Sequence, residues 1–262
     1  MLLTVDIGNT TVALAGFVGQ ELTVLHRVPS DTTLKVSQWV EVLEGYLAQC
    51  PPIQGVALSS VVPALTPRVS QALSHLTGTQ VLTVDASTPT GLSLEGYQGA
   101  TLGTDRVVDC VAALGLCAPP LAVFDMGTAT TLSVVGKDRT FLGGMILPGL
   151  SLSLEALSAK AAQLPPITLS PPEEVIGRDT ERCMRYGALY GAAGAIEGIV
   201  ARLEEELGPL TVVLTGGNST HVRPLLRIPV LWKPHLTFRG LREVWLHQHP
   251  TAKSGPPAKP GA

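Results

Sequence analysis

One short pattern occurs twice in this chain of 262 residues. Residues 2–17 read LLTVDIGNTTVALAGF, and residues 121–136 read LAVFDMGTATTLSVVG. Each copy is an apolar run, an Asp, one apolar residue, a Gly, a small polar cluster and a second apolar run. A constant offset of 119 residues aligns Asp6 with Asp125, Gly8 with Gly127 and Thr11 with Thr130. Two strand–turn–strand units with acidic turns predict a duplicated fold in which both turns hold one anion, such as a nucleotide phosphate chain.

The composition is that of a folded enzyme. Hydrophobic residues make up 45% and charged residues 15%, which excludes a disordered chain. A net charge of −3 and an aromatic content of 4% give no support to nucleic-acid binding. No apolar stretch predicts a membrane span, and MLLTVDIGNT is typical of a strand rather than a secretory signal. The four cysteines form no C-x-x-C pair, so we expect free thiols in a reducing cytoplasm.

Apolar periodicity predicts a mixed α/β chain. We expect strands at residues 2–7, 11–18, 21–29, 53–63, 81–85, 121–125, 130–136 and 211–217. We expect helices at residues 37–49, 66–77, 105–117, 151–164 and 180–207. Ser37 is the expected cap of the first helix, and FLGGMILPGL (141–150) predicts a short strand followed by a Gly-rich turn. Pro119-Pro120 separates two predicted domains, 1–117 and 118–249, and a disordered tail is expected at 250–262.

The first acidic turn, DIGNTT (6–11), carries the residue types of a phosphate-binding loop. Gly8 lets the backbone approach an anion, and successive N–H groups with small polar side chains supply donors. Phosphate would repel Asp6, which fits better as a ligand of a cation or of the water around that cation. An ordinary hairpin turn uses the same residue types, but the repetition of the motif favours the phosphate interpretation.

The second acidic turn, DMGTATT (125–131), is followed by a third candidate loop. Its threonine hydroxyls can donate to phosphate oxygens, although threonine also favours strands. Asp125 ends an apolar strand, where a carboxylate needs a partner. Thr215-Gly216-Gly217-Asn218 ends another strand, and its glycines would let adenosine lie against the backbone, although a β-to-α turn has the same pattern.

GTDR (103–106) stands at the beginning of a predicted helix. Asp105 would suit a general base for an alcohol, and Arg106 would suit an anchor for a substrate carboxylate. The alternative is that Asp105 only caps the helix. The chain carries no P-loop, dinucleotide-binding fingerprint or protein-kinase motif set.

Six motifs in order resemble those of type III pantothenate kinases, which belong to the superfamily of acetate kinase, sugar kinases and actin. They are DIGNT, GTDR, DMGTATT, GGMILPGL, IGRDT (176–180) and TGGN. The resemblance implies two duplicated ribonuclease-H-like (actin-like ATPase) domains, with mixed sheets flanked by helices and an ATP cleft between them. It implies a cytoplasmic homodimer that phosphorylates pantothenate with ATP, the first step of coenzyme A biosynthesis.

The resemblance also implies roles for individual residues. Asp105 would be the catalytic proton acceptor, Asp125 would bind K⁺ or NH₄⁺, and Mg²⁺ would accompany ATP. An ATP-binding role is implied for Asp6, Ile7, Gly8, Asn9, Thr10, Thr11, Val12, Ala13 and Thr128. A pantothenate-binding role is implied for Tyr97, Gly103, Thr104, Asp105, Arg106 and Thr180.

Two other functions are open at this point. The family usually carries Asn-Pro between the tyrosine and the GxDR stretch, and residues 97–102 of this chain lack it. A kinase of the same superfamily that acts on another small alcohol is therefore one alternative, since fold does not fix substrate. The second is a non-catalytic ATP-binding regulatory protein, against which the retained acidic residues argue.

Overall fold

The computed structural model describes residues 1–95, 97, 102–160 and 167–250, which form two compact units. The first unit contains residues 1–92 and the described parts of 99–112 and 237–262. The second contains residues 113–236 and the described part of 93–98. The predicted domains differ from these units chiefly in the last helix, which belongs to the first unit. From residue 251 on, the predicted disordered tail lies outside the described residues.

The described elements are, in chain order, β1 (Leu2–Ile7), β2 (Thr11–Val18), β3 (Glu21–Pro29), α1 (Val36–Leu47), β4 (Gly55–Ser60), α2 (Thr66–Thr77), β5 (Val81–Thr83), α3 (Thr104–Leu114), β6 (Leu121–Met126), β7 (Ala129–Val135), β8 (Phe141–Pro148), α4 (Leu150–Lys160), α5 (Thr180–Leu207), β9 (Thr211–Thr215), α6 (Ser219–Val222), a short 3₁₀ helix (Arg223–Leu225), β10 (Leu231–Trp232) and α7 (Leu236–Gln248). Most of the predicted strands and helices are confirmed within a few residues. Among the residues described, no helix combines the length and the apolar character needed to cross a membrane.

The first unit is built on a five-stranded sheet in the order β3-β2-β1-β4-β5. The first three strands form an antiparallel meander, and β4 and β5 join it in parallel. β1 and β2 are almost continuously apolar because the sheet is buried on both faces. From α1 and α2, Trp39, Leu43 and Leu73 enter one buried cluster with Leu3 and Leu58 of the strands.

The second unit repeats this topology, with the strand order β8-β7-β6-β9-β10. Its meander is again antiparallel, and β9 and β10 are again added in parallel. Phe124 and Leu132 of the sheet lie in one buried cluster with Leu189 and Ile196 of α5. The duplication predicted from the sequence is thus a duplication of strand order and strand direction.

The two repeats differ by one residue at the turn. The first hairpin closes at the pair Ile7–Val12, and the second closes at the pair Met126–Thr130. The second turn is therefore one residue shorter. Thr130 corresponds to Val12, so the predicted equivalence of Thr11 with Thr130 is wrong. A constant offset in sequence cannot reveal an insertion inside a turn whose residues are similar.

The predicted helix cap at Ser37 is also wrong. Lys35 is the capping position of α1, and Ser37 lies inside the first turn of the helix. The backbone N–H of Lys35 donates to the Gln38 side chain at 3.0 Å. The Gln38 side chain, which reaches back from the first turn, therefore accepts the hydrogen bond at the start of the helix. The Ser37 hydroxyl does not cap it.

The strand expected within 141–150 is confirmed, but it is longer than predicted and runs from Phe141 to Pro148. β8 continues through Gly143 and Gly144, which pair with Val134 and Ser133 of β7. Gly143 has a φ of 120°, a conformation that favours glycine, so these glycines shape a strand.

The sequence patterns predict no element after residue 217, yet α7 forms there and packs on the first unit. Phe238 and Leu241 are buried. A Cβ atom on Gly240 would lie 1.9 Å from the carbonyl oxygen of Val108, so only glycine allows α7 this close to α3. The contacts that stabilise α7 come from residues more than a hundred positions earlier.

Candidate active site

The first hairpin loop (residues 8–11) is fixed by hydrogen bonds on both sides. The Gly8 N–H donates to the Thr11 carbonyl at 2.9 Å, which closes the turn. At the end of β3, the Ser30 hydroxyl donates to the Gly8 carbonyl at 2.6 Å, and the Ser30 N–H donates to the Thr10 carbonyl at 3.0 Å. The Asn9 and Thr10 side chains are exposed on this backbone. The loop has the preorganised polar character that anion binding requires.

Three of the predicted ATP-binding residues can contribute only backbone atoms. Ile7 and Val12 are fully buried and Ala13 is 6% exposed. Their side chains pack in the core of the first unit because they belong to β1 and β2. The outward-facing side chains of the predicted segment are those of Asn9 and Thr10.

Asp6 stands near the end of β1, where its carboxylate accepts a hydrogen bond from the Ser59 hydroxyl at 2.7 Å. Ser59 lies opposite Asp6 in the parallel strand β4 and is fully buried. Burial raises the pKa of Asp6 from 3.8 to about 6; the Ser59 hydrogen bond lowers it, and the Asp105 carboxylate raises it. Sequence reasoning missed Ser59, whose available signal was a pair of serines at the end of an otherwise apolar strand.

Asp105 lies in the first turn of α3 and shares the electrostatic environment of Asp6. Its Oδ1 atom accepts a hydrogen bond from the Arg106 N–H at 2.8 Å. Burial raises the pKa of Asp105, while this hydrogen bond and the Arg106 charge lower it. A Cβ atom on Gly103 would lie 2.4 Å from Asp105 Oδ1, so the glycine provides the space that the carboxylate occupies.

Thr104 ties the start of α3 to the end of β4. Its hydroxyl accepts from the Ser60 N–H at 3.1 Å and donates to the Ser60 carbonyl at 3.2 Å. This side chain therefore has hydrogen-bond partners within the protein, and its predicted place in the lining of the pantothenate site stays a prediction. Arg106 is 8% exposed, so little of its side chain is open to a ligand in this conformation.

Asp125, the counterpart of Asp6, is packed against the glycine loop after β9. A Cβ atom on Gly216 would lie 2.4 Å from Asp125 Oδ1 and from the Met126 nitrogen, and Gly216 has a φ of 87°. The Asn218 side chain donates to the Gly127 carbonyl at 3.0 Å. The acidic turn and the TGGN loop, predicted separately, therefore form one site within the second unit.

Thr128 stands in the second hairpin loop (residues 127–129), which is supported from below by Gly149. The Gly149 N–H donates to the Thr128 carbonyl at 3.2 Å. A Cβ atom on Gly149 would lie 2.2 Å from that carbonyl oxygen and 2.6 Å from the Gly127 oxygen. The GGMILPG segment thus has the structural role of shaping this loop.

The remaining predicted pantothenate-binding residues, Tyr97 and Thr180, belong to the second unit. The Tyr97 ring meets Phe141 edge-to-face, with centroids 5.2 Å apart. Thr180 is the exposed first residue of α5, which Asp179 caps by accepting from the Arg182 N–H at 2.8 Å. Asp6 and Asp105 are therefore positioned by contacts within the first unit. Tyr97 and Thr180 are positioned by contacts within the second unit.

In the described part of the chain, no group of three or more His, Cys, Asp and Glu side chains is arranged to hold a metal ion. The candidate oxygen ligands are instead separate carboxylates, with Asp6 beside the Ser59 hydroxyl and Asp125 beside the Gly216 loop. Such a set suits a hard cation that completes its shell with water and phosphate oxygens, as Mg²⁺ does beside nucleotides.

Solved structures of similar fold show which fold class this chain has. One is a protein from Campylobacter jejuni named as a Baf family transcriptional activator, with a TM-score of 0.60 and 20% identity over 95% of this chain and 99% of that chain. Another is described as an N-acetylglucosamine kinase from Porphyromonas gingivalis, with a TM-score of 0.53 and 13% identity over 95% of this chain and 100% of that one. The duplicated fold is that of actin-like ATPases and sugar kinases, as predicted.

The sequence comparisons narrow this class to one family. The chain belongs to the type III pantothenate kinase family, whose sequence profile matches residues 2–202. The type III pantothenate kinase of Moorella thermoacetica is 36% identical over 250 residues, covering 94% of this chain and 98% of the relative. That of Thermus thermophilus is 36% identical over 252 residues, covering 95% and 100%.

Proposed function

We propose that this protein transfers the γ-phosphoryl group of ATP to pantothenate, forming 4′-phosphopantothenate in the first step of coenzyme A biosynthesis. Its membership of the type III pantothenate kinase family supports this proposal. The observation that carries it is the preorganised hairpin loop that follows Asp6, whose carboxylate accepts a hydrogen bond from the buried Ser59 hydroxyl at 2.7 Å.

Asp105 is the proposed proton acceptor for the primary alcohol of pantothenate. A carboxylate with a raised pKa is a stronger base than an exposed one, and burial gives Asp105 this property. Phosphoryl transfer passes through a loose transition state, so alignment and charge stabilisation supply most of the catalysis. Gly103 and Arg106, which hold Asp105 in place, are proposed to border the pantothenate, with Tyr97 and Thr180 as further contacts.

For ATP, the proposed contacts are the backbone of residues 6–13 and the exposed Asn9 and Thr10 side chains in the first unit, and Thr128 in the second. A cavity of about 560 Å³ lies in the second unit between α4, the segment 167–169 and His221 of α6. Because α6 directly follows the TGGN loop, this cavity is the proposed place for the nucleoside part of ATP. Its volume is within the usual range for small-molecule sites.

Two cations belong to the proposal. Mg²⁺ would accompany the ATP phosphates, and K⁺ or NH₄⁺ would bind at Asp125. Burial, with the Asp105 carboxylate as a smaller contribution, raises the pKa of Asp6, and a cation near the first hairpin loop would offset both effects. When bound, the cations would supply positive charge to the phosphate oxygens.

The experiment is a coupled ADP-release assay with pantothenate and a panel of other small alcohols and sugars, with and without K⁺. We expect pantothenate-dependent ADP release that Asp105→Asn reduces by about 10²–10⁴-fold while ATP binding is retained. If another alcohol or sugar were the preferred acceptor, the protein would be a kinase for that substrate instead of pantothenate. Near-normal turnover by Asp105→Asn would remove the base assignment.

The active form is proposed to be a homodimer that pairs through α5. Gly187, Gly191 and Gly194 lie on one side of this helix, and a Cβ atom at each would meet nothing within 4 Å. The second unit also exposes apolar side chains, with Met145 at 43% and Ile146 at 68%. An exposed small-residue face on a helix suits close packing against a second helix, and exposed apolar side chains are common at interfaces. Light scattering should give a dimer mass for the wild type and a monomer mass for Gly191→Glu, and a monomeric wild type would contradict the proposal.

The cytoplasm is the proposed location. Cys50, Cys110, Cys117 and Cys183 are all free thiols in the structure, and free thiols persist in a reducing compartment. Cell fractionation that recovers the protein outside the cytoplasm would exclude this location.

A further inference from the structure

The Ser59 hydroxyl has an unusual partner for a buried serine in a strand. Thr4 shows the ordinary arrangement in the same sheet, because its hydroxyl donates to the Ala15 backbone carbonyl at 3.0 Å. Ser59, also fully buried, donates instead to the Asp6 carboxylate at 2.7 Å. Within the described residues, the Ser59 hydroxyl is the side-chain donor that hydrogen-bonds to the Asp6 carboxylate.

We propose that Ser59 is a positioning residue for phosphoryl transfer, whose hydroxyl fixes the orientation of the Asp6 carboxylate beside the first hairpin loop. The inference rests on the proposed function. A carboxylate at the end of a strand can rotate about two side-chain bonds, and a buried donor in the neighbouring strand restricts that rotation. Charge-assisted hydrogen bonds of this kind are short and directional.

The next residue supports a positioning role for this end of β4. The Ser60 N–H and carbonyl both bond to the Thr104 hydroxyl, at 3.1 and 3.2 Å. Thr104 directly precedes Asp105 in α3. Consecutive residues of β4 therefore hold Asp6 through a side chain and the start of the Asp105 helix through the backbone. This arrangement sets the distance between the two carboxylates.

The second unit carries a hydroxyl residue at the same register. Thr215 of β9 lies opposite Asp125 as Ser59 lies opposite Asp6, and it is 2% exposed. Its hydroxyl accepts from the Leu236 N–H at 3.4 Å. The duplicated fold thus accepts either serine or threonine at this strand position.

The test compares three substitutions at one position. Ser59→Ala removes the hydroxyl, Ser59→Val removes it and adds bulk, and Ser59→Thr adds the same bulk but keeps the hydroxyl. Valine and threonine are nearly equal in shape, so their difference isolates the hydrogen bond from packing strain. Thr4→Val is the matched control, because it removes a buried hydroxyl of the same sheet that touches neither carboxylate.

The measurements are kcat and KM for pantothenate, calorimetric affinity for Mg²⁺ with a non-hydrolysable ATP analogue, and thermal unfolding. We expect Ser59→Ala and Ser59→Val to lower kcat about tenfold or more with little change in the KM for pantothenate. They should also weaken analogue binding, and Ser59→Thr should restore both values. Thr4→Val should lower only the unfolding temperature.

Three results would overturn the inference. They are a normal kcat in Ser59→Ala, equal losses in Ser59→Thr and Ser59→Val, or a kcat loss in Thr4→Val as large as that in Ser59→Ala. Absence of pantothenate-dependent ADP release by the wild type would instead refute the proposed function. In that case analogue binding still tests whether Ser59 orients Asp6.

Discussion

Replacing Gly103 by alanine should remove activity while leaving the fold intact. The new Cβ atom would lie 2.4 Å from Asp105 Oδ1, whereas carbon and oxygen atoms normally approach to about 3.4 Å. The carboxylate must therefore move by about 1 Å, which weakens its 2.8 Å hydrogen bond from the Arg106 N–H. The other neighbour, Val61 Cγ1, is at an ordinary 3.4 Å, so no backbone atom has to shift.

A displacement of about 1 Å at a reacting group costs about 10²-fold in rate, or about 2.7 kcal/mol of transition-state stabilisation. We therefore expect kcat to fall about 100-fold in the coupled assay, with an unfolding free energy within about 1 kcal/mol of the wild type. Gly45→Ala is the matched control, since its Cβ atom meets nothing within 4 Å on the exposed face of α1. This control should keep full activity and gain about 0.5–1 kcal/mol of stability.

Full turnover by a folded Gly103→Ala variant would refute the reasoning, because Asp105 would then not need its present position. An unfolded variant would show instead that the backbone conformation at position 103 requires glycine. The two outcomes are separated by thermal unfolding in the same buffer.

Two further predictions concern the acidic turns. The pKa of Asp6, raised from 3.8 to about 6, predicts that kcat/KM falls as pH drops below about 6, because the carboxylate takes up a proton. Because the pKa of Asp6 is higher in the folded protein, the ionised carboxylate lowers the free energy of unfolding above pH 6. This loss of stability should disappear as the pH falls from about 6 to 4. Denaturant titrations in which Asp6→Asn keeps the wild-type pH trend would refute this prediction. Gly216→Ala should lower the unfolding free energy by about 1–2 kcal/mol or more, because φ is 87° and the Cβ atom would meet Asp125 and Met126 at 2.4 Å. Gly217→Ala, whose Cβ atom meets nothing within 4 Å, should be close to neutral in the same calorimetry, and equal losses in both variants would contradict the steric argument.

Elements were predictable where the local signal is strong. β1 and β2 match their predicted bounds because each apolar run ends at turn residues. Residues 180–207, which the sequence left open as one long helix or two with a kink, form the single helix α5. α7 was missed because its buried face packs against α3, which lies more than a hundred residues earlier in the sequence. The strand expected within 141–150 proved longer than predicted, because β7 pairs with it through Gly143 and Gly144.

Residues of the candidate site were predictable when their chemistry is visible in one motif. Asp6 and Asp125 were singled out because a carboxylate at the end of an apolar run is conspicuous, and Asp105 because GTDR stands at the beginning of a predicted helix. Ser59 was not, because a serine in a strand has no distinctive pattern until its partner is known. The bond of the Thr104 hydroxyl to β4 was likewise not visible in the sequence, because its partner lies 44 residues away.

The sequence by itself determined the duplication, the alternation of strands and helices, and the acidic turns, since these depend on interactions among neighbouring residues. Only the tertiary structure decided that Ser59 meets Asp6, that Gly216 packs on Asp125 and that α7 closes on α3. Each of these contacts joins strands or helices distant in sequence. Their geometry follows from sheet register and close packing, which a linear pattern of residues does not contain.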